Sequence, residues 1–227
     1  RYLKGINMVE IKHFWGEISN IEAKQELASK LAEQVKDGQV ISIGSGSTAY
    51  VALGEIAKKL SKENLNCSFV VTSYEMELAA KSFGLNVISE LAVTIDWAFD
   101  GADEVDPNGN LLKGRGGAML REKILLAQAK RKIIIADKSK MVDKLGTKFA
   151  VPCEVSPRAI TFVIDQVEKL GGKSLIRTGA GKDGPVVAES GNVIIDVTHN
   201  DVTEELNKKN IKIPGLFETG LFYNLNP

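Results

Sequence analysis

Val40-Ile41-Ser42-Ile43-Gly44-Ser45-Gly46-Ser47-Thr48-Ala49 decides the reading of this chain. Three large apolar side chains in four residues run into two glycines separated by a serine. Hydroxyl residues then open a stretch in which Leu53, Ile56 and Leu60 fall on one side at helical spacing. The order is strand, tight turn, helix. Glycine lets the backbone turn sharply and approach a ligand closely, and a helix N-terminus offers free N–H groups at the positive end of its dipole. With the hydroxyls added, the turn reads as a phosphate cradle. The plainer reading is a strand-to-helix turn capped by Ser47 or Thr48. The stretch also fits a Gly-x-Gly-x-x-Ala dinucleotide pattern, but the next strand closes Val70-Val71-Thr72-Ser73 without a ribose-binding acid. The turn also lacks the Gly-Lys-Ser/Thr of a P-loop, so a small phosphorylated ligand fits it better than a dinucleotide.

Outward from this turn the chain alternates helix and strand from Ser19 to about Lys140. Ser19 and Glu22 have capping-box spacing, Ala23, Leu27, Leu31 and Val35 repeat at helical spacing, and Gly38 is placed to stop that helix. Strands are expected at residues 68–71, 87–88, 95–99 and 132–136, and helices at 49–60, 75–83 and 118–130. This pattern implies a parallel sheet with helices on both faces. After Val151 the style changes. Ser156 with Pro157 starts a helix running to about Leu170, strands are expected at 173–176 and 193–197, residues 179–191 read as a glycine-rich loop or hairpin tip, 202–210 as a short helix and 211–213 as a last strand. That is a smaller α+β domain of β-α-β-β-α-β type.

The bulk composition sets limits. The chain has 227 residues, 44% hydrophobic and 26% charged, ordinary for a globular protein with a sizeable core. Lys plus Arg and Asp plus Glu both total 29, so no net basic field exists to hold a nucleic-acid backbone. An anionic substrate must be caught by local geometry. The two cysteines, Cys67 and Cys153, form no CxxC pair and read as small buried hydrophobes of a reducing compartment. No apolar run reaches the ~20 residues that cross a bilayer, and no signal-peptide pattern opens the chain. These features point to a cytoplasmic protein without membrane or nucleic-acid partners.

Three further motifs carry chemistry. Asp100-Gly101-Ala102-Asp103-Glu104 closes a strand, where ligands of open α/β sheets sit. Its carboxylates can accept from sugar hydroxyls and move protons. A solvated acidic loop and a metal site compete with that reading. A calcium loop does not, because Leu111 and Gly117 stand where its glycine and bidentate Glu should be. Pro107-Asn108-Gly109 reads as a turn. Lys113-Gly114-Arg115-Gly116-Gly117 brings positive charge after these acids, and Glu122 follows in the first turn or so of a helix, whose dipole attracts a negative group. The competing reading is a flexible basic loop. Lys140, after another strand, reads alone as a surface lysine. Neither His13 nor His199 neighbours these motifs, so Ser–His and Cys–His nucleophiles are disfavoured, and no His/Cys cluster has metal spacing. A carboxylate-and-lysine site beside a phosphate cradle suits aldose–ketose isomerisation, which needs a base for a C–H next to a carbonyl and fixed donors for the enediolate oxygen.

Taken together, Gly44-Ser45-Gly46-Ser47-Thr48, Asp100-Gly101-Ala102-Asp103-Glu104, Lys113-Gly114-Arg115-Gly116-Gly117-Ala118, Arg121-Glu122-Lys123 and Ala136-Asp137-Lys138-Ser139-Lys140 resemble the type A ribose-5-phosphate isomerase family in content, order and spacing. The resemblance runs from about Ile21 to the end, including Pro214-Gly215-Leu216-Phe217-Glu218-Thr219-Gly220-Leu221-Phe222. It implies an enzyme of the pentose phosphate pathway that interconverts D-ribose 5-phosphate and D-ribulose 5-phosphate through a cis-enediolate, without cofactor or metal. Glu122 would shuttle the proton between C1 and C2, Asp100 would assist furanose opening, and Asp103 and Lys113 would hold hydroxyls and stabilise the enediolate. The Ser45, Gly46, Ser47 and Thr48 loop, with Lys24 and Lys140, would bind the phosphate or nearby oxygens. Gly101, Ala102, Gly114, Arg115 and Gly116 would line the sugar. Members commonly carry threonine at the place of Ser45, which keeps the hydroxyl.

The family fold is a Rossmann-like domain with an inserted ferredoxin-like domain, here residues 19–148 plus 214–227 and residues 149–213. Residues 1–18 form an extension of unknown role, and the family's members are homodimers or homotetramers. A non-enzymatic sugar-phosphate sensor is the main alternative, but it calls for a DNA-binding module and none is evident. An amino-sugar deaminase would use a histidine near the acids.

Overall fold

The computed structural model describes residues 16–91, 93–181 and 183–225; Met8, His13 and most of the expected N-terminal extension lie outside them. The described residues divide into two compact units, the first running up to Gly101 and resuming over Ile124–Asp137, the second made of Ala102–Lys123 and the residues from Lys138 onward.

The first unit is a five-stranded parallel sheet: β1 Val40–Ile43, β2 Ser68–Val71, β3 Asn86–Val87, β4 Trp97–Gly101 and β7 Arg131–Ile135, ordered β3-β2-β1-β4-β7. Its helices are α1 Ile21–Ala32, α2 Ser47–Glu63 and α3 Tyr74–Ser82. Helix α4, Met119–Gln128, begins in the second unit and ends in the first. Ile41, Ile43, Leu53, Ile56, Phe69, Met76 and Phe99 are fully buried and form the core. The near-continuous apolar strands follow from a sheet covered on both faces.

Two local expectations fail here. Ser19 and Glu22 make no capping box: the N-cap is Asn20, in the left-handed region at φ 53°, with no side-chain cap. Asparagine tolerates that conformation better than most residues. Gly38 does not stop α1 either. The helix ends at Ala32, and Gly38, at φ 76°, turns the chain into β1 with its N–H donating to Asn66 O at 2.9 Å.

The second unit holds two antiparallel sheets. Strands β8 Val151–Val155, β9 Lys173–Ile176, β10 Val193–Thr198 and β11 Leu216–Thr219 are ordered β11-β8-β10-β9, with helices α5 Ile160–Lys169 and α6 Glu204–Asn210. This is the expected β-α-β-β-α-β succession, a ferredoxin-like arrangement. The second sheet is small: β5 Glu104–Val105, β6 Leu111–Leu112 and β12 Leu221–Phe222, ordered β12-β6-β5. Pro107-Asn108-Gly109 is indeed the β5–β6 turn, held by Asp106 Oδ1 accepting from the N–H groups of Asn108 and Asn110.

Residues 211–213 are not a strand. The N–H groups of Lys212 and Ile213 donate to Lys209 and Asn210 carbonyls, so the segment is a turn and the last strand of the four-stranded sheet starts at Leu216. Ser156 precedes a 3₁₀ turn, Pro157–Ala159, and the α-helix proper begins at Ile160.

Both cysteines are buried, Cys67 in the first core and Cys153 in the second. Burial pushes both thiols up, Cys153 to about 12. Since the thiolate is the reactive species, a thiol reagent at pH 8 should label almost none of the native protein and two groups per chain in denaturant. Rapid native labelling of either cysteine would contradict these burials.

Candidate active site

In the first unit the sheet order reverses between β1 and β4, the switch point where open α/β sheets bind ligands beyond the carboxyl ends of their strands. Both expected first-unit motifs are there. Gly44 follows β1 and its N–H donates to Phe99 O at 2.8 Å, one residue before Asp100. Gly46, at φ 89°, is the N-cap of α2, so the Ser47 and Thr48 N–H groups lie in its first turn. The positive φ at Gly46 suits glycine and fixes the sharp entry to the helix. Lys24, only 7% exposed, donates from Nζ to Ser47 Oγ at 3.0 Å. A buried ammonium beside a helix N-terminus concentrates positive potential at the hydroxyl turn. Asp100 is 1% exposed, its Oδ1 accepts from the Gly101 N–H at 2.7 Å, and Thr48 packs near Gly101. Burial of Asp100 and Glu104 rules out the solvated-loop reading of the acidic motif.

In the second unit Lys113 and Glu122 form a buried ion pair, Nζ to Oε2 at 3.3 Å. Glu122 stands in the first turn of α4, its N–H donating to Ala118 O. Asp103 belongs to the same group. Its backbone N–H donates to Leu112 O, and its Oδ2 accepts from the Arg115 N–H at 3.4 Å. Burial pushes the Asp103 carboxyl above its ordinary range. The Lys113 charge, the Arg115 N–H and the Arg115 charge oppose that rise, and the Glu122 charge adds to it. Gly114, at φ 105°, sits where an added Cβ would meet Met119 Sδ at 2.8 Å, so the loop closes only on glycine. Arg115 and Gly116 are exposed, and the Arg115 guanidinium stacks over Phe149 at 4.8 Å. Ala102 is half-buried before Asp103. Lys140 ends the 3₁₀ turn Lys138–Lys140, half-buried. Among the described residues no group of three His, Cys, Asp or Glu side chains is arranged to hold a metal, and no helix is long and apolar enough to cross a membrane.

Sequence reasoning missed the groups that hold these loops. Glu104, fully buried, accepts from the N–H groups of Gly146, Lys148 and Phe149 at 2.6–2.9 Å. Lys148 Nζ then donates to the carbonyls of Ser139 and Met141, on either side of Lys140. Arg177 pairs with Asp196 and donates from Nη1 to the carbonyls of Gly114 and Arg115 at 2.8 and 3.0 Å. The Glu104 donors and the Arg177 acceptors Gly114 and Arg115 lie 42 to 63 positions away, beyond the reach of any local pattern.

A doubly wound sheet with a hydroxyl-bearing turn and a buried acid at its switch point, followed by a buried lysine–carboxylate pair, is the build of an α/β enzyme acting on a small ligand. The comparisons agree. The family model described as ribose 5-phosphate isomerase A (phosphoriboisomerase A) matches residues 68–227. The ribose-5-phosphate isomerase A of Nostoc sp. is 40% identical, with 88% of this chain and 87% of that protein covered. The solved structure of ribose 5-phosphate isomerase A from Methanocaldococcus jannaschii is 39% identical, with a TM-score of 0.86 over 90% of this chain and 92% of that one. The Plasmodium falciparum ribose 5-phosphate isomerase is 30% identical with a TM-score of 0.84, covering 90% of this chain and 91% of that one. The chain belongs to the ribose 5-phosphate isomerase A family and is an isomerase.

Proposed function

We propose that the chain interconverts D-ribose 5-phosphate and D-ribulose 5-phosphate with Glu122 as the proton shuttle. The observation that carries this reading is the buried Lys113–Glu122 pair at 3.3 Å: a carboxylate able to take a proton, with an ammonium beside it where negative charge develops. The Ser45–Thr48 turn and Lys24 hold the phosphoryl group, with Lys140 contributing nearby, and so supply the remote binding energy that fixes the reacting carbons. Asp100 takes the O1 proton and passes it to the ring oxygen as the furanose opens, ending ionised as it began. Glu122 then removes the C2 proton, electron density moves to O1, and Lys113 and Asp103 bind the enediolate oxygens. Glu122 returns its proton to C1 while the O2 proton passes to O1. The sum is an isomerisation, with no electrons gained or lost by the pair of sugars.

Gly101, Ala102, Gly114, Arg115 and Gly116 line the open sugar in this reading. A related ribose-5-phosphate isomerase, 36% identical with a TM-score of 0.86 over 90% of this chain and 91% of that one, was solved with phospho-erythronic acid. That ligand pairs a carboxylate with a phosphate, the two anionic ends this scheme provides for. The test is conversion of ribose 5-phosphate to ribulose 5-phosphate by purified protein in the presence of a chelator. Turnover is expected without added metal, and turnover only after metal addition would overturn the scheme. We place the enzyme in the cytoplasm as a homo-oligomer. Light scattering should then give a multiple of the 24.6 kDa chain mass, and a monomer would refute this.

A further inference from the structure

We propose that Lys123 and the segment 218–222 are positioning residues that hold Lys113 and Glu122 in register, an inference that rests on the role given above to that pair. The Lys123 ammonium donates to Glu218 Oε1 at 2.6 Å, Thr219 O at 3.0 Å and Leu221 O at 2.9 Å. Its Nζ also lies 4.6 Å from the centroid of the Phe222 ring. An ammonium has three donors and no acceptor, so these three oxygens match its full complement. Lys123 therefore has no N–H left for substrate, and what it does it does through its neighbours. Burial lowers its pKa, and the Glu218 carboxylate opposes that fall.

The same segment grips Lys113 from its main chain. Gly220 O accepts the Lys113 N–H at 2.8 Å, and β12 continues that ladder through Leu221 opposite Leu112 and Phe222 opposite Leu111. Gly220 is itself pinned, its N–H donating to Pro152 O at 2.7 Å. A Cβ there would lie 2.1 Å from Lys113 O and 2.8 Å from Pro152 Cδ. The Phe222 ring reaches under both ammonium groups, 6.0 Å from Lys113 Nζ. So Lys113 hangs from this segment by a backbone bond, and Glu122 hangs from it through the ammonium of the next residue. A shift of the segment moves both members of the pair. Displacing reacting groups by about 1 Å costs roughly 10²-fold in rate.

The test measures kcat, KM for ribose 5-phosphate, the pH profile of kcat and the thermal midpoint for wild type, Glu122→Gln, Lys123→Met and Glu218→Gln. Lys123→Met should lower kcat about 10²-fold per folded molecule with KM within about threefold, and shift the acid limb of the pH profile. Glu218→Gln keeps an acceptor but removes the countercharge, and should lower kcat about tenfold with KM retained. A folded Lys123→Met or Glu218→Gln with wild-type kcat and pH profile overturns the proposal, whatever its melting temperature. If Lys123→Met does not fold, Glu218→Gln decides alone. Wild type failing to convert ribose 5-phosphate would sink the isomerase reading itself. Wild type active, Glu122→Gln inactive and both brace variants fully active would sink only the brace.

Discussion

Glu122→Gln is expected to lower kcat for ribose 5-phosphate by at least 10²- to 10⁴-fold, the usual contribution of a positioned base, while ribose 5-phosphate still binds. The amide keeps the shape and an acceptor oxygen 3.3 Å from Lys113 but cannot take a proton from carbon. Both side chains of the pair are about 95% or more buried, and taking the charge from one partner of a buried pair can cost about 3–5 kcal/mol. The melting temperature must therefore be recorded with the rate, so that lost chemistry is separated from lost protein. Calorimetric binding of ribose 5-phosphate with turnover absent is the expected pair of results. Residual activity within tenfold of wild type would remove Glu122 from the role of base.

Gly44→Ala should be nearly as damaging, for a steric reason. An added Cβ would lie 2.0 Å from Asp100 Cγ and Oδ1 and 2.6 Å from Asp100 Cβ. Since the clash includes Asp100 Cβ, rotating the carboxylate does not relieve it, and the whole strand end must shift. Overpacking of this kind costs about 1–3 kcal/mol, or roughly 2–12 °C in melting temperature for a chain of this size. It also moves the group assigned to ring opening, so kcat/KM should fall at least tenfold. Gly54→Ala in α2 is the matched control. There the added carbon stands 3.5 Å from Phe83 Cζ, ordinary contact, and alanine favours a helix by up to about 1 kcal/mol. That variant should be at least as stable as wild type and fully active. Equal losses in both variants would show that the space beside Asp100 is not what matters.

Much of the parallel unit was legible because its strands β1 and β2 are short, mostly apolar runs closed by turn residues. Val40–Ile43 and Ser68–Val71 match their expected bounds residue for residue. The motifs at the strand ends were legible for the same reason, since a glycine turn after a strand has few other uses. What escaped notice was short or distant. Strands β5, β6 and β12 have two residues each, too few to show a period. The apolar pair Ile211 and Ile213 imitates strand alternation, but the turn that ends α6 claims those residues, and Gly215, at φ 91°, packs where an added Cβ would stand 2.4 Å from Ala159 Cβ. The structural role of Glu104 was not legible, because its three backbone donors come from a loop more than 40 positions on.

The grip of Lys123 on Thr219 spans 96 positions of sequence. At about 5–20 residues per second of synthesis, a growing chain carries Glu122, the proposed base, for roughly 5 to 20 seconds before the segment proposed to steady it has been translated. The parallel sheet, complete at Ile135, can close well inside that interval. Under the proposed roles, the nascent chain gains its parallel sheet before the residues that brace Lys113 and Glu122.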